Sequence, residues 1–308
     1  MNKILVTGGA GFIGSNLIPL LLEKGYTVSV LDNLYSGKME NLTNVSEHPW
    51  FRFVGGDIRD KATLHNAIAG IDAIVHLAAL IDVTASVEDP ALTHEVNVTG
   101  TLNVLQEATK SNVKKIVFAS STAVYGDTKI LPVKEDAPLH PISPYAASKA
   151  ASEAYFHAFN KCYSIDTVAL RFFNVYGPKN QNSPYSGVIT KFLQKALKNE
   201  TLNVEGDGEQ TRDFIHVTDI VKALTLALEA ENVGGHAFNV CTGKPTSVNN
   251  LADTIAAATK QKLQVTHGPA RVGDIRHSYG DPTKATNQLG FKAKVTLAEG
   301  LKTLLEAT

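Results

Sequence analysis

Tyr145 and Lys149 stand four residues apart in the run Tyr145-Ala-Ala-Ser-Lys149, a spacing that could make a phenol act as a base near neutral pH. Unperturbed tyrosine titrates near pH ~10, so its ionised form needs a nearby cation at pH 7, and each pKa unit represents about 1.4 kcal/mol. Residues i and i+4 share one helix face, roughly 5–6 Å apart at Cβ, and Pro144 suits the first position of such a helix. Upstream, Lys115-Ile-Val-Phe-Ala119 has the apolar character of a strand and runs into Ser120-Ser121-Thr122. In parallel α/β sheets the ligand crevice lies at the carboxyl ends of strands. Ser121 is therefore expected to face the crevice that receives Tyr145, bringing hydroxyl, phenol and amine together.

The elements that must position them begin at the N-terminus. Lys3-Ile-Leu-Val-Thr7 is a strand candidate, followed at once by Gly8-Gly-Ala-Gly11-Phe-Ile-Gly14 and by an apolar-periodic stretch from Asn16 to Leu22. Strand, glycine turn and helix form the phosphate-binding start of a dinucleotide fold, in which the glycines allow close backbone approach and the helix N-terminus favours an anion. The loop satisfies GxGxxG through Gly9, Gly11 and Gly14, and GxxGxxG through Gly8, Gly11 and Gly14. A second strand, Thr27 to Leu31, ends at Asp32, ~20 residues further on, where a carboxylate binds ribose hydroxyls and repels a 2′-phosphate. NAD is expected rather than NADP. No arginine follows Asp32 before Arg52, although Lys38 lies close by in sequence.

With 308 residues, 44% of them hydrophobic, the chain can bury a large core. Its net charge of −1 and the absence of a Lys/Arg run argue against nucleic-acid binding. No apolar run approaches the ~18 residues of a membrane span, and the N-terminus lacks a signal-peptide pattern, so a soluble cytoplasmic protein is expected. The histidines form no HxxxH and the cysteines no CxxC, giving no support for a metal site. His76 and His216 fit satisfied core or hinge positions. Cys162 and Cys241 lie beside apolar residues and are expected as buried thiols.

Further strands are expected at 51–54, 73–76, 116–120 and 167–172, and helices at 61–69, 91–111 and 145–163. Such alternation predicts an α/β, Rossmann-type doubly wound parallel sheet. After Phe173 the chain becomes rich in Asn, Ser, Pro and Gly, and Gly206-Asp-Gly208 marks another turn. A smaller, discontinuous C-terminal substrate lobe is expected from 175–212 and 247–308. The NAD-binding domain would then span 1–174, with 213–246 returning to it through Phe238-Asn-Val240.

The runs TGGAGFIG, HLAA at His76–Ala79, SSTAVYG at Ser120–Gly126, YAASK and RFFNVYGP at Arg171–Pro178, together with Asp32 and Asn97, resemble the extended short-chain dehydrogenase/reductase family across nearly the whole chain. The nucleotide-sugar epimerases are the nearest branch. This resemblance implies an NAD site formed by Gly8, Gly11, Phe12, Ile13, Gly14, Asp32, Asn33, Ser36 and Gly37, with Asp57 and Ile58 near the adenine. Leu77, Ala78, Ala79, Asn97, Ser120, Tyr145, Lys149 and Phe172 would line the cofactor further along.

A UDP-sugar is the implied substrate, in contact with Ser86, Ser121, Thr122, Tyr145, Phe173, Asn174, Val188, Phe192, Val204, Gly206, Arg212, Arg271, Asp274 and Ser278. Arginine can grip diphosphate oxygens bidentately. Arg212 could equally pair with Asp213, and Arg271 could be a solvated loop charge. Family members usually form homodimers through the two helices here expected at 91–111 and 145–163. Val104, Leu105, Phe156 and Phe159 on those helices could serve a dimer or the intradomain core.

The resemblance implies 4-epimerisation. Tyr145 takes the sugar 4′-hydroxyl proton, Ser121 steadies the oxygen, hydride passes from C4 to NAD+, and the 4-keto sugar receives it back on its other face. Related 4,6-dehydratases carry an Asp-Glu pair just after the catalytic hydroxyl, and decarboxylases carry a glutamate there. This chain has Thr122 and Ala123, and alanine cannot transfer a proton. Ser278 occupies a position that is a large aromatic size gate in hexose epimerases, leaving room for an N-acetyl group. Ile81 stands where some hexose epimerases carry a lysine. Dehydratase, decarboxylase and uronate 4-epimerase chemistries remain alternatives, as does a noncatalytic NAD sensor; sensors commonly lose the Tyr/Lys pair that is present here.

Overall fold

A computed structural model describes residues 2–179, 187–270 and 275–306. In chain order its first half runs β1 (Lys3–Thr7), α1 (Phe12–Glu23), β2 (Thr27–Asp32), β3 (Phe51–Gly55), α2 (Lys61–Ile68), β4 (Ala73–His76), α3 (Val83–Glu88), α4 (Pro90–His94), α5 (Thr101–Lys110), β5 (Lys115–Ser121) and α6 (Pro144–Tyr163). The second half adds β6 (Asp166–Phe172), β7 (Asn174–Tyr176), α7 (Val188–Leu197), β8 (Leu202–Glu205), β9 (Thr211–Arg212), β10 (Phe214–His216), α8 (Val217–Glu229) and β11 (His236–Val240). It closes with β12 (Thr246–Ser247), α9 (Val248–Thr259), β13 (Val265–Gly268), β14 (His277–Ser278), α10 (Thr283–Leu289) and α11 (Leu297–Glu306).

Seven strands form one sheet in the order β11-β6-β5-β4-β1-β2-β3, every neighbouring pair parallel. The chain leaves β1 outward to β2 and β3, then returns on the other side through β4. That reversal places the crevice at the carboxyl ends of β1 and β4. The central strands β1 and β4 are covered on both faces, which is why Ile4–Val6 and Ala73–Val75 are continuously apolar rather than alternating. Ile4, Val6 and Val75 pack under Leu17 and Leu21 of α1 and Ile220 and Leu224 of α8. Leu5, Ile74 and Phe118 pack under Val104, Leu105, Phe156 and Phe159, so these four helix residues are intradomain core.

Helix starts follow local chemistry. Asp60, Asp82 and Asp89 cap α2, α3 and α4, and Ser143 caps α6 ahead of Pro144. The single helix expected over 91–111 is instead interrupted by a π-helical turn, Glu95–Gly100. There Thr101 Oγ1 donates to the Asn97 carbonyl at 2.5 Å, and the Asn97 side chain is drawn off to Leu80. Gly100 packs so tightly that an added Cβ would lie 2.6 Å from the Ile58 side chain. Such bulges occur frequently at functional sites.

Phe192, Leu193, Val204, Leu251, Ile255, Leu301 and Leu304 form a separate apolar cluster from α7, β8, α9 and α11. Residues 247–308 do not all join it. Ala285 and Leu289 of α10, with Phe291, pack in the main-sheet core, and α10 ends at Gly290, φ +68°, before the chain continues to α11. Cys241 is buried, but Cys162, on the last turn of α6, is exposed and not the buried thiol expected. Among the described residues no helix is long and apolar enough to cross a membrane, and no cluster of metal-ligating side chains occurs.

Candidate functional site

A cleft of about 1340 Å³ opens over the carboxyl ends of the strands and is lined by both the glycine loop and the Ser121/Tyr145/Lys149 group. Gly8 turns with φ +70°, and a Cβ there would sit 2.7 Å from the Ala78 nitrogen. A Cβ on Gly14 would meet the Gly9 Cα at 2.6 Å, so this glycine lets α1 pack on its own loop. Above Gly11 an added Cβ would meet only the Gly8 oxygen, at 3.2 Å. No side chain caps α1 and no acidic residue sits in its first turn. An open backbone facing an uncapped helix N-terminus is a cradle suited to a diphosphate.

Asp32, at the end of β2, is buried. Its Oδ2 accepts from the Ala10 amide at 2.9 Å and its Oδ1 from Leu34 at 2.8 Å. Burial pushes its carboxyl pKa up, while these two amides oppose the rise. Asn33 donates to Asp57 at 2.9 Å. Arg59 grips Asp57 with Nε at 3.0 Å and Nη2 at 2.8 Å, chiefly holding that carboxyl down at about 2. Sequence spacing missed Arg59, which follows β3 rather than β2 and enters the cleft only because the two strands are neighbours. Its fork is already engaged by Asp57, so it is poorly placed to welcome a 2′-phosphate. Gly37 packs against Ala10 behind the lining.

At the other end, β5 delivers Ser121 and α6 delivers Tyr145 and Lys149. Burial raises the Tyr145 phenol's pKa, and the neighbouring Ser121 side chain opposes the rise. Lys149 is buried and donates to the Ala119 carbonyl at 2.8 Å; its Nζ lies 6.0 Å from the Tyr145 ring centroid and 4.8 Å from that of Phe118. Desolvation pushes its pKa down to about 7, opposed by Glu153. Ser121 Oγ also accepts from the Ala123 amide at 3.2 Å, starting a tight turn over Thr122–Tyr125.

Phe12, Ile13, Ser36, Ile58, Leu77, Ala78, Ala79, Ser120, Phe172, Phe173 and Asn174 line the same cleft. Asn97 stands one layer behind it. Its Oδ1 accepts from Leu80 N at 2.7 Å, and its Nδ2 donates to Leu80 O and to Ser148 Oγ, both at 2.9 Å. Ser86 is buried between helices, accepting from Tyr145 N at 3.1 Å and donating to Val83 O at 2.6 Å. It borders a small neighbouring pocket rather than the cleft.

The expected substrate contacts in the second half are dispersed. Val204 and Phe192 are buried in the small lobe's apolar cluster, with Val188 packed against it. Gly206, at φ +73°, turns the chain after β8. Arg212 and Ser278 are register partners on β9 and β14, but neither lines the cleft, nor does Thr122. Asp213 accepts from Thr242 N at 2.9 Å, Thr242 Oγ1 at 2.6 Å and Gly243 N at 2.8 Å, fastening the loop after β11. Arg271 and Asp274 lie outside the described residues. His76 and His216 are both satisfied, the first by Thr7 and Thr101, the second by Thr303 and the Thr218 amide.

The family model described as GDP-mannose 4,6 dehydratase matches residues 5–304. A UDP-glucose 4-epimerase of Mycolicibacterium smegmatis is 40% identical over 307 residues, covering 99% of this chain and 97% of that protein. Among solved structures, a UDP-glucose 4-epimerase of Thermotoga maritima with UDP-glucose superposes with a TM-score of 0.93 at 39% identity, covering 99% of this chain and 98% of the other. A Thermus thermophilus UDP-glucose 4-epimerase complexed with NAD gives 0.90 at 36% identity, covering 99% and 98%. With strand order, glycine cradle and Tyr/Lys pair in agreement with this match over nearly its full length, the chain belongs to the GDP-mannose 4,6 dehydratase family, within the NAD-dependent epimerase/dehydratase branch of the short-chain dehydrogenases/reductases.

Proposed function

We propose that the chain is an NAD-dependent nucleotide-sugar 4-epimerase acting on UDP-glucose and UDP-galactose. One observation carries this reading: Ser121, Tyr145 and Lys149 share a cleft with the glycine cradle, and its carboxylates lie elsewhere. Among the described lining residues these are Asp32, at the end of β2, Glu40, after it, and Asp57, after β3. Elimination of water requires an acid and a base at the sugar, but the positions after Ser121 are Thr122 and Ala123. That favours epimerisation over the dehydration for which the family is named.

When bound, NAD supplies reversible hydride acceptance at the sugar carbon. Asp32 would hold a ribose, and the α1 N-terminus the diphosphate. Tyr145 takes and returns the proton of the sugar's 4-hydroxyl, and Ser121 holds that oxygen in line. Since burial raises the phenol's pKa, the base form depends on positive charge nearby, and Lys149 supplies it from the chain. The apolar walls of Phe172 and Phe173 exclude water. Arg212 and Ser278 are adjacent across β9 and β14 but outside the cleft lining; in this reading they would meet the sugar nucleotide's own diphosphate and sugar where these extend past the cleft, the small Ser278 leaving space for an N-acetyl substituent. A homodimer would use surface still exposed on α3 and α6, including Val83, Val87 and Tyr155. Diffusible substrates suit a cytoplasmic setting.

The test incubates protein and NAD separately with UDP-glucose, UDP-N-acetylglucosamine and UDP-glucuronate and identifies products by proton NMR. Inversion at C4 of UDP-glucose without net NADH is expected. A 4-keto-6-deoxy product would overturn the reading.

A further inference from the structure

Tyr145, Lys149 and Glu153 follow one another at four-residue intervals along α6, so one helix face carries phenol, amine and carboxylate in series. Only the first two reach the cleft. Glu153 is buried behind them, where Ser120 Oγ donates to its Oε1. Arg171 Nε reaches its two oxygens at 3.0 and 3.1 Å, and Nη2 reaches Oε2 at 2.7 Å. Arg171 is itself fixed by the Tyr125 hydroxyl at 2.7 Å and the Glu135 carbonyl at 3.0 Å, and Tyr125 donates to Asn239 at 2.7 Å. The ion pair is 6% and 8% exposed. Desolvating two charges costs several kcal/mol each, and a well-packed apolar pair often does as well for stability. Its position on the catalytic face gives the pair a use beyond stability.

We propose that Glu153 is a positioning residue which, clamped by Ser120 and Arg171, acts through Lys149 by keeping its amine protonated beside Tyr145. This rests on the epimerase reading above. Burial opposes that protonated form, and the Glu153 charge is what opposes burial. The other groups around the amine do not substitute for it. On α6 the remaining neighbour is Tyr145; from β5 come the neutral Ser120 and Ser121 and the Phe118 ring. From β4 comes His76, kept neutral by burial and by Lys149 itself, with its pKa pushed down to about 3. Arg171, from β6, carries like charge and, paired with Glu153, offsets part of the carboxylate's field at the amine.

The test uses the NAD-loaded protein with 13C-labelled lysine, following the Lys149 Cε resonance, assigned by its loss in K149R, alongside the pH profile of turnover. If the protonated amine is the active form, activity falls as pH rises through the Lys149 pKa. Glu153→Gln then lowers that pKa by about one unit or more and moves the alkaline limb down equally, and Glu153→Asp keeps both near wild type. Glu153→Gln/Arg171→Met, which removes both charges, gives an intermediate pKa, still below wild type. Should Glu153→Gln alone fail to fold, the double variant decides: an unchanged Lys149 titration overturns the proposal. So does lost turnover in Glu153→Gln with an unmoved resonance, the mark of a structural role. A shifted resonance in a protein that converts no nucleotide sugar supports the coupling and refutes the epimerase reading instead.

Discussion

Lys149 donates to the carbonyl oxygen of Ala119 at 2.8 Å, so the amine is anchored to the end of β5, the strand that also delivers Ser121. Strand and helix thus fix the distance between hydroxyl and cation. Lys149→Met should reduce turnover roughly 10²–10⁴-fold, the range for losing acid–base assistance, and Tyr145→Phe similarly. Tyr145→Phe should leave NAD affinity within about threefold, since only one hydroxyl is removed. Turnover by NMR and NAD titration by tryptophan fluorescence check both; an active Phe variant would refute the role of Tyr145.

Asp32 has a double task, fastening Ala10 and Leu34 while offering its carboxylate to the cleft. Asp32→Asn should weaken NAD binding about 10–100-fold, as expected when a charged hydrogen-bond acceptor is lost, and should narrow the preference over NADP. Calorimetric titration with each dinucleotide measures the ratio. An unchanged NAD affinity would remove Asp32 from the site.

Asn97 predicts the opposite pattern. Its three hydrogen bonds join Leu80 to Ser148 behind the cleft. Asn97→Ala should cost about 1–3 kcal/mol by stranding the part-buried backbone groups of Leu80 and removing the buried bond to Ser148, with NAD affinity changed less than about tenfold. Urea unfolding and NAD titration of the same variant separate support from contact.

His76 makes stability fall in acid. Burial lowers its pKa from 6.5 to about 3, so between these values the unfolded chain binds the proton and the folded chain does not. Stability therefore rises with pH across about 3 to 6.5, by up to about 1.4 kcal/mol per pH unit from this group. His76→Gln should lower stability at pH 7 by roughly 1–3 kcal/mol but flatten the acid-side slope. Urea midpoints measured at a series of pH values test the sign; an equally steep slope would show that other groups dominate.

The Tyr145/Lys149 pair was legible in the sequence, because a four-residue period is a property of the helix alone; Glu153, next in that series, was not, since nothing local marks the Ser120 and Arg171 that hold it. The local signals were similarly explicit for the glycine loop, for Asp32 and for the strand before Ser121, where chemistry and element boundary coincide within a few residues. They were silent on Arg59, whose place in the cleft depends on β3 lying beside β2, and on the π-helical turn at Glu95–Gly100, which periodicity read as continuous helix.

By itself the sequence determined the repeating strand–helix order, the apolar faces, and the residue types of cradle and base. These depend on neighbours a turn or a strand apart. Tertiary structure alone decided that Asn97 supports rather than lines the cleft, that Val104 and Phe156 are core, and that Arg171 and Glu153 meet in the interior. Each of those outcomes depends on which distant backbone groups remain unpaired and which charges lose their water, and no local pattern records either.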